Sequence, residues 1–330
     1  MKQMIMIVLL TTTLIIMSIS GCIETEQQEL EEIKIQTMWG SNAQFAGYYV
    51  AMEKGYYEKE GIKVVFNEYD ENVPVKDAVA EGLADFGIDG ANQIIIGRSE
   101  GKPLKAVAVH YRMSPTAAFA SLKEAEITTP LDWEGKKIGF LPDSTGAIFK
   151  TIVNKYGLNE SNITYIQYGY DFNLLYHGTV DVIPIYIFDE PYIMEQEGYE
   201  IDTILAYDYG IRFYGDTLFT TDQMIENNTN LVHKFVSASL KGWRYAIENP
   251  NVTIDIVLKY DHEDYHSREY ETYILTHESP LVHTGEDYIG WMRNSVWQEM
   301  YNTLSDQGMI DSPINVSECY TMEFLEKIYG

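Results

Sequence analysis

The amino-acid sequence predicts an α/β protein built from two lobes. Strand-like runs alternate with helix-like stretches along most of the chain, a pattern typical of mostly parallel sheets flanked by helices. Two short strand-like segments, residues 116–122 and 218–221, lie on either side of a self-contained α/β stretch and indicate two crossings between lobes. The length agrees with this interpretation, because 330 residues are more than one hydrophobic core usually sustains.

The first 21 residues are predicted to be a signal peptide. One charged residue, Lys2, precedes an apolar and hydroxyl-rich run that ends at Ile19. At about 16 residues this run is shorter than a membrane-spanning helix, which needs roughly 20. Two small residues then lead into Cys22, as at a signal-peptidase site. A cysteine at the new N-terminus can be lipidated, so we expect Cys22 to anchor the mature chain to a membrane.

The remaining chain divides into a tether and two lobes. Residues 22–32 are acidic and nearly free of apolar side chains, which is typical of a solvated tether. The crossings then predict a discontinuous first lobe, residues 33–122 plus 218–330, and a continuous second lobe, residues 123–217. We expect a ligand cleft between the lobes, where loops at the carboxyl ends of strands from both halves meet.

Local periodicity predicts the individual elements. The strand-like runs are short and apolar: Ile33–Met38, Ile62–Phe66, Ala106–His110, Lys137–Phe140, Ile163–Gln167 and Val180–Ile187. The helix-like stretches include Phe45–Lys54, Val73–Gly82 and Gly146–Tyr156. The tail from residue 231 is predicted to be largely helical. Its apolar residues follow three-to-five spacing and indicate a packing stripe: Leu231, Phe235, Leu240, Trp243 and Ile247.

The net charge disfavours some classes of partner, and the cysteine content indicates that the mature chain has no internal disulfide. The formal net charge is −27, with 50 acidic residues against 23 Lys and Arg. Repulsion therefore disfavours nucleic acid and anionic lipid surfaces, and a neutral or cationic ligand is favoured. The chain has two cysteines, Cys22 and Cys319, so we expect no intramolecular disulfide once Cys22 carries lipid.

A phrase near the start of the predicted first lobe carries a family resemblance. It reads Trp39-Gly-Ser-Asn-Ala-Gln-Phe45-Ala-Gly-Tyr-Tyr-Val-Ala51. Later phrases agree in order: Ala84-Asp-Phe-Gly87, Leu131-Asp-Trp-Glu-Gly135, Gly178-Thr-Val-Asp181 and Asp189-Glu-Pro191. The chain thereby resembles the substrate-binding proteins that include alkanesulfonate-, nitrate- and pyrimidine-binding receptors, together with the yeast-type thiamine-pyrimidine synthases.

The resemblance implies a fold and a role. The fold is the two-lobed periplasmic-binding-protein type II fold, with a ligand cleft between the lobes. The role is that of a lipoprotein on the extracellular or periplasmic face of the cell membrane, which hands a small molecule to an ABC permease and its ATPase. We therefore expect a monomeric receptor, not an enzyme, that needs neither a cofactor nor a metal.

The resemblance also assigns a ligand site. In relatives that bind the thiamine-precursor pyrimidine, the ring is held by a Trp at the place of Trp39 and a Tyr at the place of Tyr186. A Glu at the place of Glu190 accepts the ring's amine hydrogens, and a carboxylate is a suitable acceptor for an amino-heterocycle. We expect these three side chains to face one cavity.

Further candidates come from the turn after Trp39 and from loops after later strands. The pyrimidine-handling relatives carry Asn-x-x-His in this turn, whereas this chain has Asn42-Ala-Gln-Phe45. With Tyr48 nearby, Phe45 suits a larger or more apolar aromatic ligand, a flavin-like ring among them, through offset stacking. Loops after other strands add four candidates: Asp89, Tyr111, Ser144 and Thr145. The last two open a helix and could offer hydroxyls and backbone donors to a polar ligand group.

Two other functions stay open at the level of sequence. A receptor for sulfonate or nitrate would need a fixed cation in the cleft, and the candidates are Arg98, Arg112 and Arg212. An enzyme similar to the thiamine-pyrimidine synthases would carry their cysteine-rich run, but this chain has Cys319 alone after Cys22.

A zinc-protease pattern also occurs, His262-Glu-Asp-Tyr-His266. Its flanks, Lys259-Tyr-Asp261 and Ser267-Arg-Glu269, are polar, whereas a buried active-site helix would have apolar neighbours. We therefore expect a solvated helix here and no metal site.

Overall fold

The computed structural model of the protein describes residues 30–261 and 266–330. The strands are β1 (Glu31–Thr37), β2 (Ile62–Phe66), β3 (Phe86–Gly90), β4 (Leu104–Val109), β5 (Ala118–Leu122), β6 (Lys137–Phe140), β7 (Thr164–Gln167), β8 (Ile183–Ile185), β9 (Ile201–Leu205) and β10 (Asp216–Thr221). The helices are α1 (Ala46–Glu53), α2 (Val75–Ala80), α3 (Ala91–Ser99), α4 (Ser144–Lys155), α5 (Asn173–Tyr176), α6 (Glu190–Gln196), α7 (Asp222–Asn227), α8 (Thr229–Glu248), α9 (Pro250–Val257), α10 (Arg268–Val282), α11 (Asn294–Asp306) and α12 (Glu323–Tyr329).

The predicted signal peptide and Cys22 lie outside the described residues. The fold begins two residues before the predicted Ile33, because β1 starts at Glu31. Glu31 and Glu32 are exposed at the beginning of the strand, and Glu32 forms an ion pair with Lys63 of β2 at 3.0 Å. Their acidic side chains are typical of a tether, although their backbone already belongs to the sheet.

The first sheet combines strands from both ends of the sequence. Its order is β2-β1-β3-β10-β4. Strand β1 pairs in parallel with β2 and β3, whereas β10 runs antiparallel between β3 and β4. Ile33 and Ile35 lie on one face of β1 and are fully buried, whereas Lys34 between them is exposed.

Residues 118–205 form two further sheets. One has the order β8-β5-β9 with antiparallel pairing throughout, and the other pairs β6 and β7 in parallel. Strand β5 alternates as a two-sided strand should: Ala118 and Ala120 face a small apolar cluster, and Phe119 faces the main core. The predicted α/β class is confirmed. The antiparallel pairing of β5 is not visible in the local pattern, because apolar periodicity does not encode strand direction.

Two connecting segments join these sheets to the first one. The chain leaves β4 through residues 110–117 and returns to β10 through residues 206–215. The segments lie side by side: the Ser114 amide donates to the Phe213 carbonyl at 2.8 Å, and the Ala206 amide donates to the Ala117 carbonyl at 2.8 Å. The predicted crossings thus fall mostly within strands β5 and β10. Residues 31–330 form one compact unit, and the division into two lobes stays a prediction.

The helical tail packs as predicted. Phe235, Leu240 and Trp243 of the α8 stripe are buried in the main core. Helix α8 lies directly on α1, and two glycines allow this approach. A Cβ atom on Gly242 would lie 2.0 Å from the Gly47 carbonyl oxygen, and one on Gly47 would lie 2.3 Å from the Trp243 ring. In the described residues, no helix is both long and apolar enough to cross a membrane.

We predict that Gly242→Ala destabilises the protein. The new methyl group would clash with the backbone of α1, which cannot change rotamer as a side chain can. The free-energy cost of overpacking should therefore lie near the upper end of about 1–3 kcal/mol. That exceeds the gain of about 1 kcal/mol in helix propensity. Urea unfolding measures the change. Gly169→Ala is the control, because its Cβ would meet nothing within 4 Å. Equal midpoints for both variants would contradict the close α1–α8 packing.

Candidate ligand-binding site

A cavity of about 1130 Å³ opens where strands from different sheets end. Segments directly after β1, β2, β7 and β8 supply much of its wall, and residues around α9 and α10 supply the rest. The described lining residues are Thr37, Trp39, Gly40, Ser41, Asn42, Gln44, Tyr49, Phe66, Asn67, Glu68, Tyr69, Tyr170, Tyr186, Phe188, Asp189, Glu190, Tyr260, Asp261, His266, Tyr270 and Ile274. Carboxyl ends of strands are the usual ligand position in α/β folds.

Aromatic rings dominate one part of the wall. The Trp39 ring is 39% exposed, and its centroid lies 5.9 Å from that of Tyr186 in an edge-to-face arrangement. Tyr69 lies 6.5 Å from Trp39 on another side. Each stacked pair of rings needs about 3.5–4 Å between planes. A third ring therefore does not fit between Trp39 and Tyr186 in this conformation, although Trp39 is partly exposed and lines the cavity.

Two consecutive carboxyl groups lie next to these rings, at the start of α6. Glu190 is only 8% exposed, and its Oε2 accepts a hydrogen bond from the Tyr186 amide at 2.7 Å. Burial raises the pKa of Glu190 to about 8, and the neighbouring Asp189 carboxyl adds to the shift. Burial also raises the pKa of Asp189, which accepts a hydrogen bond from the Tyr270 hydroxyl at 2.6 Å. Near neutral pH, Glu190 can therefore act as a donor or as an acceptor.

The turn after Trp39 is held by three polar contacts. The Thr37 hydroxyl donates to the Trp39 carbonyl at 2.8 Å. The Asn42 Oδ1 accepts from the Gln44 amide at 2.9 Å and caps a short 3₁₀ helix. The Ala43 amide donates to Glu271 Oε2 at 2.7 Å. The indole is thus presented from a fixed backbone, and the Asn42 oxygen is already engaged within the protein.

Glu271 is a fully buried carboxylate that faces one cavity residue, His266. The His266 Nδ1 lies 2.8 Å from Glu271 Oε1, and this contact is the main cause that raises the pKa of His266. His266 precedes α10 rather than lying on a helix. His262 and Glu263 lie outside the described residues, and residues 30–261 and 266–330 contain no group of three or more His, Cys, Asp or Glu arranged to hold a metal ion.

Three of the aromatic site residues that the sequence predicted lie elsewhere. Phe45, Tyr48 and Tyr111 are fully buried in the main core and do not line the cavity. The Tyr48 hydroxyl pairs with His110 Nδ1 at 2.9 Å, and the Tyr111 hydroxyl donates to Glu278. The reason for Phe45 and Tyr48 is geometric: the 3₁₀ turn and α1 are enclosed on all sides, so their rings pack inward.

Three predicted polar contacts also lie away from the cavity wall. Asp89, at the end of β3, is half-buried and accepts from the Gly90 amide at 2.7 Å. Burial raises its pKa to about 7. Ser144 and Thr145 open α4, but the Asp143 side chain accepts from the Thr145 amide at 2.8 Å. The backbone donors predicted for a ligand are therefore used by an ordinary helix cap.

Four predicted residues do share the cavity: Trp39, Asn42, Tyr186 and Glu190. Their contact with a ligand stays a prediction. The sequence interpretation missed Tyr69 and Tyr170, although both closely follow strand ends, β2 and β7. The contributions of His266 and Tyr270 had no local signal, because they depend on where the helical tail docks.

The arginines considered for anion binding are engaged away from the cavity. Arg98 pairs with Asp222 at 2.7 Å, and Arg112 pairs with Asp287 at 2.7 Å. Arg212 lies over the Tyr207 ring at 6.0 Å. In the part of the chain that the structure describes, neither Arg nor Lys is among the cavity-lining residues.

Comparison with known proteins assigns a family. The family described as NMT1/THI5 like matches residues 42–253, more than half of the chain. The chain belongs to the NMT1/THI5-like family. The resemblance found in the sequence is thereby confirmed, and the match includes most of the cavity wall.

Proteins similar in sequence to this chain carry names that describe different functions. The riboflavin-binding protein RibY of Chloroflexus aurantiacus is 27% identical and covers 91% of this chain and 87% of its own. The formylaminopyrimidine-binding protein of Halalkalibacterium halodurans is 24% identical and covers 97% and 99%. A 4-amino-5-hydroxymethyl-2-methylpyrimidine phosphate synthase of Legionella pneumophila is 20% identical and covers 87% and 90%.

A solved structure shows the fold. The periplasmic aliphatic sulphonate binding protein SsuA of Escherichia coli superposes with a TM-score of 0.69 at 17% identity, covering 87% of this chain and 91% of that one. The periplasmic-binding-protein fold predicted for this chain is therefore confirmed.

We predict that His266→Gln lowers the melting temperature in a pH-dependent way. Because the folded pKa of His266 is raised, its stabilisation is complete below the unfolded value of about 6.5 and is lost as pH rises through the folded value. The deficit of the variant should be largest near pH 6 and disappear near pH 9, as measured by thermal melts. His277→Gln, an exposed histidine of α10, is the control. A deficit independent of pH would contradict a charged pair with Glu271.

Proposed function

We propose that the protein is the solute-binding lipoprotein of an ABC importer and captures a small aromatic nitrogen heterocycle. The observation that carries this proposal is a single cavity with exposed aromatic rings, led by Trp39, beside the buried carboxyl group of Glu190. Rings of this kind stack on flat ligands, and a carboxyl group pairs with their N–H groups or ring nitrogens. The receptors named for riboflavin and formylaminopyrimidine support this ligand class.

A flat ligand can reach Trp39 in two ways. A ring can stack on the exposed part of Trp39, or Tyr186 can turn away and let it enter between the two. We propose that residues 30–109 with 216–330, and residues 118–205, act as two lobes. The paired segments 110–117 and 206–215 then act as the hinge through which the cleft closes over the ligand.

Cavity charge disfavours the anion alternative. Four of the described wall residues are acidic: Glu68, Asp189, Glu190 and Asp261. A sulfonate or nitrate would meet these carboxyl groups without an Arg or Lys in the described part of the wall to offset them. We therefore do not propose an aliphatic sulfonate as the ligand of this chain, although the chain shares its fold with SsuA.

Cavity chemistry also favours a receptor over a synthase. The single described cysteine, Cys319, is fully buried and is not part of the cavity wall, and burial raises the pKa of its thiol. Two acid–base groups of the wall have protein partners: the Tyr270 hydroxyl donates to Asp189, and His266 contacts the buried Glu271 behind the wall. These pairs fix the wall rather than activate a nucleophile.

Export and anchoring complete the proposed role. The apolar N-terminal run followed by Cys22 supports a lipidated, extracytoplasmic receptor, which we propose to be monomeric. From that position the receptor would deliver its ligand to a permease and ATPase.

We predict that aromatic heterocycles raise the melting temperature and that anions do not. A ligand that binds only the folded state stabilises it by mass action. The mature protein should be screened by thermal shift with riboflavin, formylaminopyrimidine, thiamine, aliphatic sulfonates and nitrate. A shift with the anions alone would contradict the proposal.

We predict that Trp39→Ala weakens binding of the best heterocycle by about tenfold, the loss expected for one stacking surface. Isothermal titration calorimetry measures it. Tyr288→Ala is the matched control, since Tyr288 is 55% exposed and is not part of the cavity wall. Equal affinities for both variants would show that the ligand binds elsewhere.

We predict that the affinity for a ligand with N–H donors rises with pH between about 6 and 9. The ligand prefers ionised Glu190, whose pKa in the free protein is raised to about 8, so protonation below that value competes with binding. Glu190→Gln should make the affinity lower and independent of pH. An affinity that falls with pH in the wild type would instead assign Glu190 as a donor to a ring nitrogen.

A further inference from the structure

Tyr170 combines three unusual properties. Its backbone lies in the left-handed region with φ +59°, its side chain is 59% exposed, and it lines the cavity. A left-handed backbone is strained for a bulky residue, because Cβ comes too close to the following carbonyl oxygen. A mostly exposed ring recovers little of this strain through packing.

The one other non-glycine residue with positive φ in the described chain has a local explanation. Glu126, with φ +52°, follows a short 3₁₀ helix and closes it, and its amide donates to the Lys123 carbonyl at 3.1 Å. It is exposed and lies outside the cavity wall. Tyr170 ends no helix, so its conformation needs another reason.

Tyr170 lies next to a buried ring and shares the cavity wall with Glu190. It follows β7 by three residues, and its ring centroid lies 5.7 Å from that of Tyr168, which is buried. Burial and the nearby carboxyl groups of Asp143 and Glu190 raise the pKa of the Tyr170 hydroxyl. Because Tyr170 and Glu190 line the same cavity, one ligand can contact both side chains.

We propose that Tyr170 is a specificity-determining residue that stacks on the ligand at the Glu190 end of the cavity. This inference rests on the proposed function, and it narrows the ligand class to flat rings that carry their polar edge within reach of both residues. In the free protein the strained backbone holds the ring out from the core. In the complex the ligand supplies the apolar face that the ring lacks. Residues with a strained backbone are typically found at such ligand-contacting positions.

The test separates strain from stacking. Tyr170→Gly removes both the ring and the strain, Tyr170→Asn removes the ring but tolerates a left-handed backbone, and Tyr170→Phe keeps ring and strain. Glu126→Gly is the matched control, because it relieves the same kind of strain away from the cavity. Affinities for riboflavin and formylaminopyrimidine are measured by calorimetry, and ligand-free melting temperatures are measured in parallel.

We expect Tyr170→Gly and Tyr170→Asn to weaken binding about tenfold, as for loss of one stacked ring. Their ligand-free melting temperatures should equal or exceed that of the wild type. Tyr170→Phe should bind within about twofold of the wild type, and Glu126→Gly should bind unchanged.

Two results would overturn the inference while the proposed function stands. The first is wild-type affinity in Tyr170→Gly and Tyr170→Asn together with a loss in Trp39→Ala. The second is a lowered melting temperature in both ring-free variants, which would make Tyr170 a structural residue. If no heterocycle of the thermal-shift screen binds the wild-type protein, the proposed function fails and this inference fails with it.

Discussion

The candidate site depends on the contacts of one buried side chain, the carboxyl group of Glu271. It accepts the Ala43 amide, which fixes the turn that presents Trp39, and it faces His266 on the cavity wall. The preceding residue of α10, Tyr270, donates to Asp189 beside Glu190. One turn of a helix from the C-terminal part of the chain therefore holds the aromatic wall and the carboxyl wall in fixed relation. A buried carboxyl group of this kind needs partners for its oxygen atoms, and the Ala43 amide and His266 provide them.

The carboxyl-rich wall has a consequence for the chemistry of the ligand. Burial raises the pKa of Glu190 and Asp189, so the wall is less negative near neutral pH than the sequence indicates. Such groups can hydrogen-bond to a neutral heterocycle without desolvating a full charge, whereas an anion is repelled by whichever of them are ionised. Aromatic faces and neutral carboxyl groups together form a cavity suited to flat, polar-edged molecules.

The sequence predicts the fold class well and the cavity in part. Strands Ile62–Phe66 and Lys137–Phe140 match the predicted bounds, because short apolar runs between turn residues leave little choice. Trp39 and Tyr186 come together because both follow strand ends. Tyr48 is in the core because α1 is enclosed by other elements, which a single-sequence pattern does not reveal. The position of Tyr270 depends on docking between distant segments and has no local signal.

The proposed ligand class is tested most directly by identifying the small molecule that the protein binds. Protein purified without denaturation from its native host, or incubated with host extract and washed, can be unfolded and the released small molecules analysed by mass spectrometry. We predict one aromatic nitrogen heterocycle released in proportion to protein, and a smaller amount from Trp39→Ala prepared in the same way. Release of an aliphatic sulfonate or an inorganic anion from the wild-type protein would contradict it.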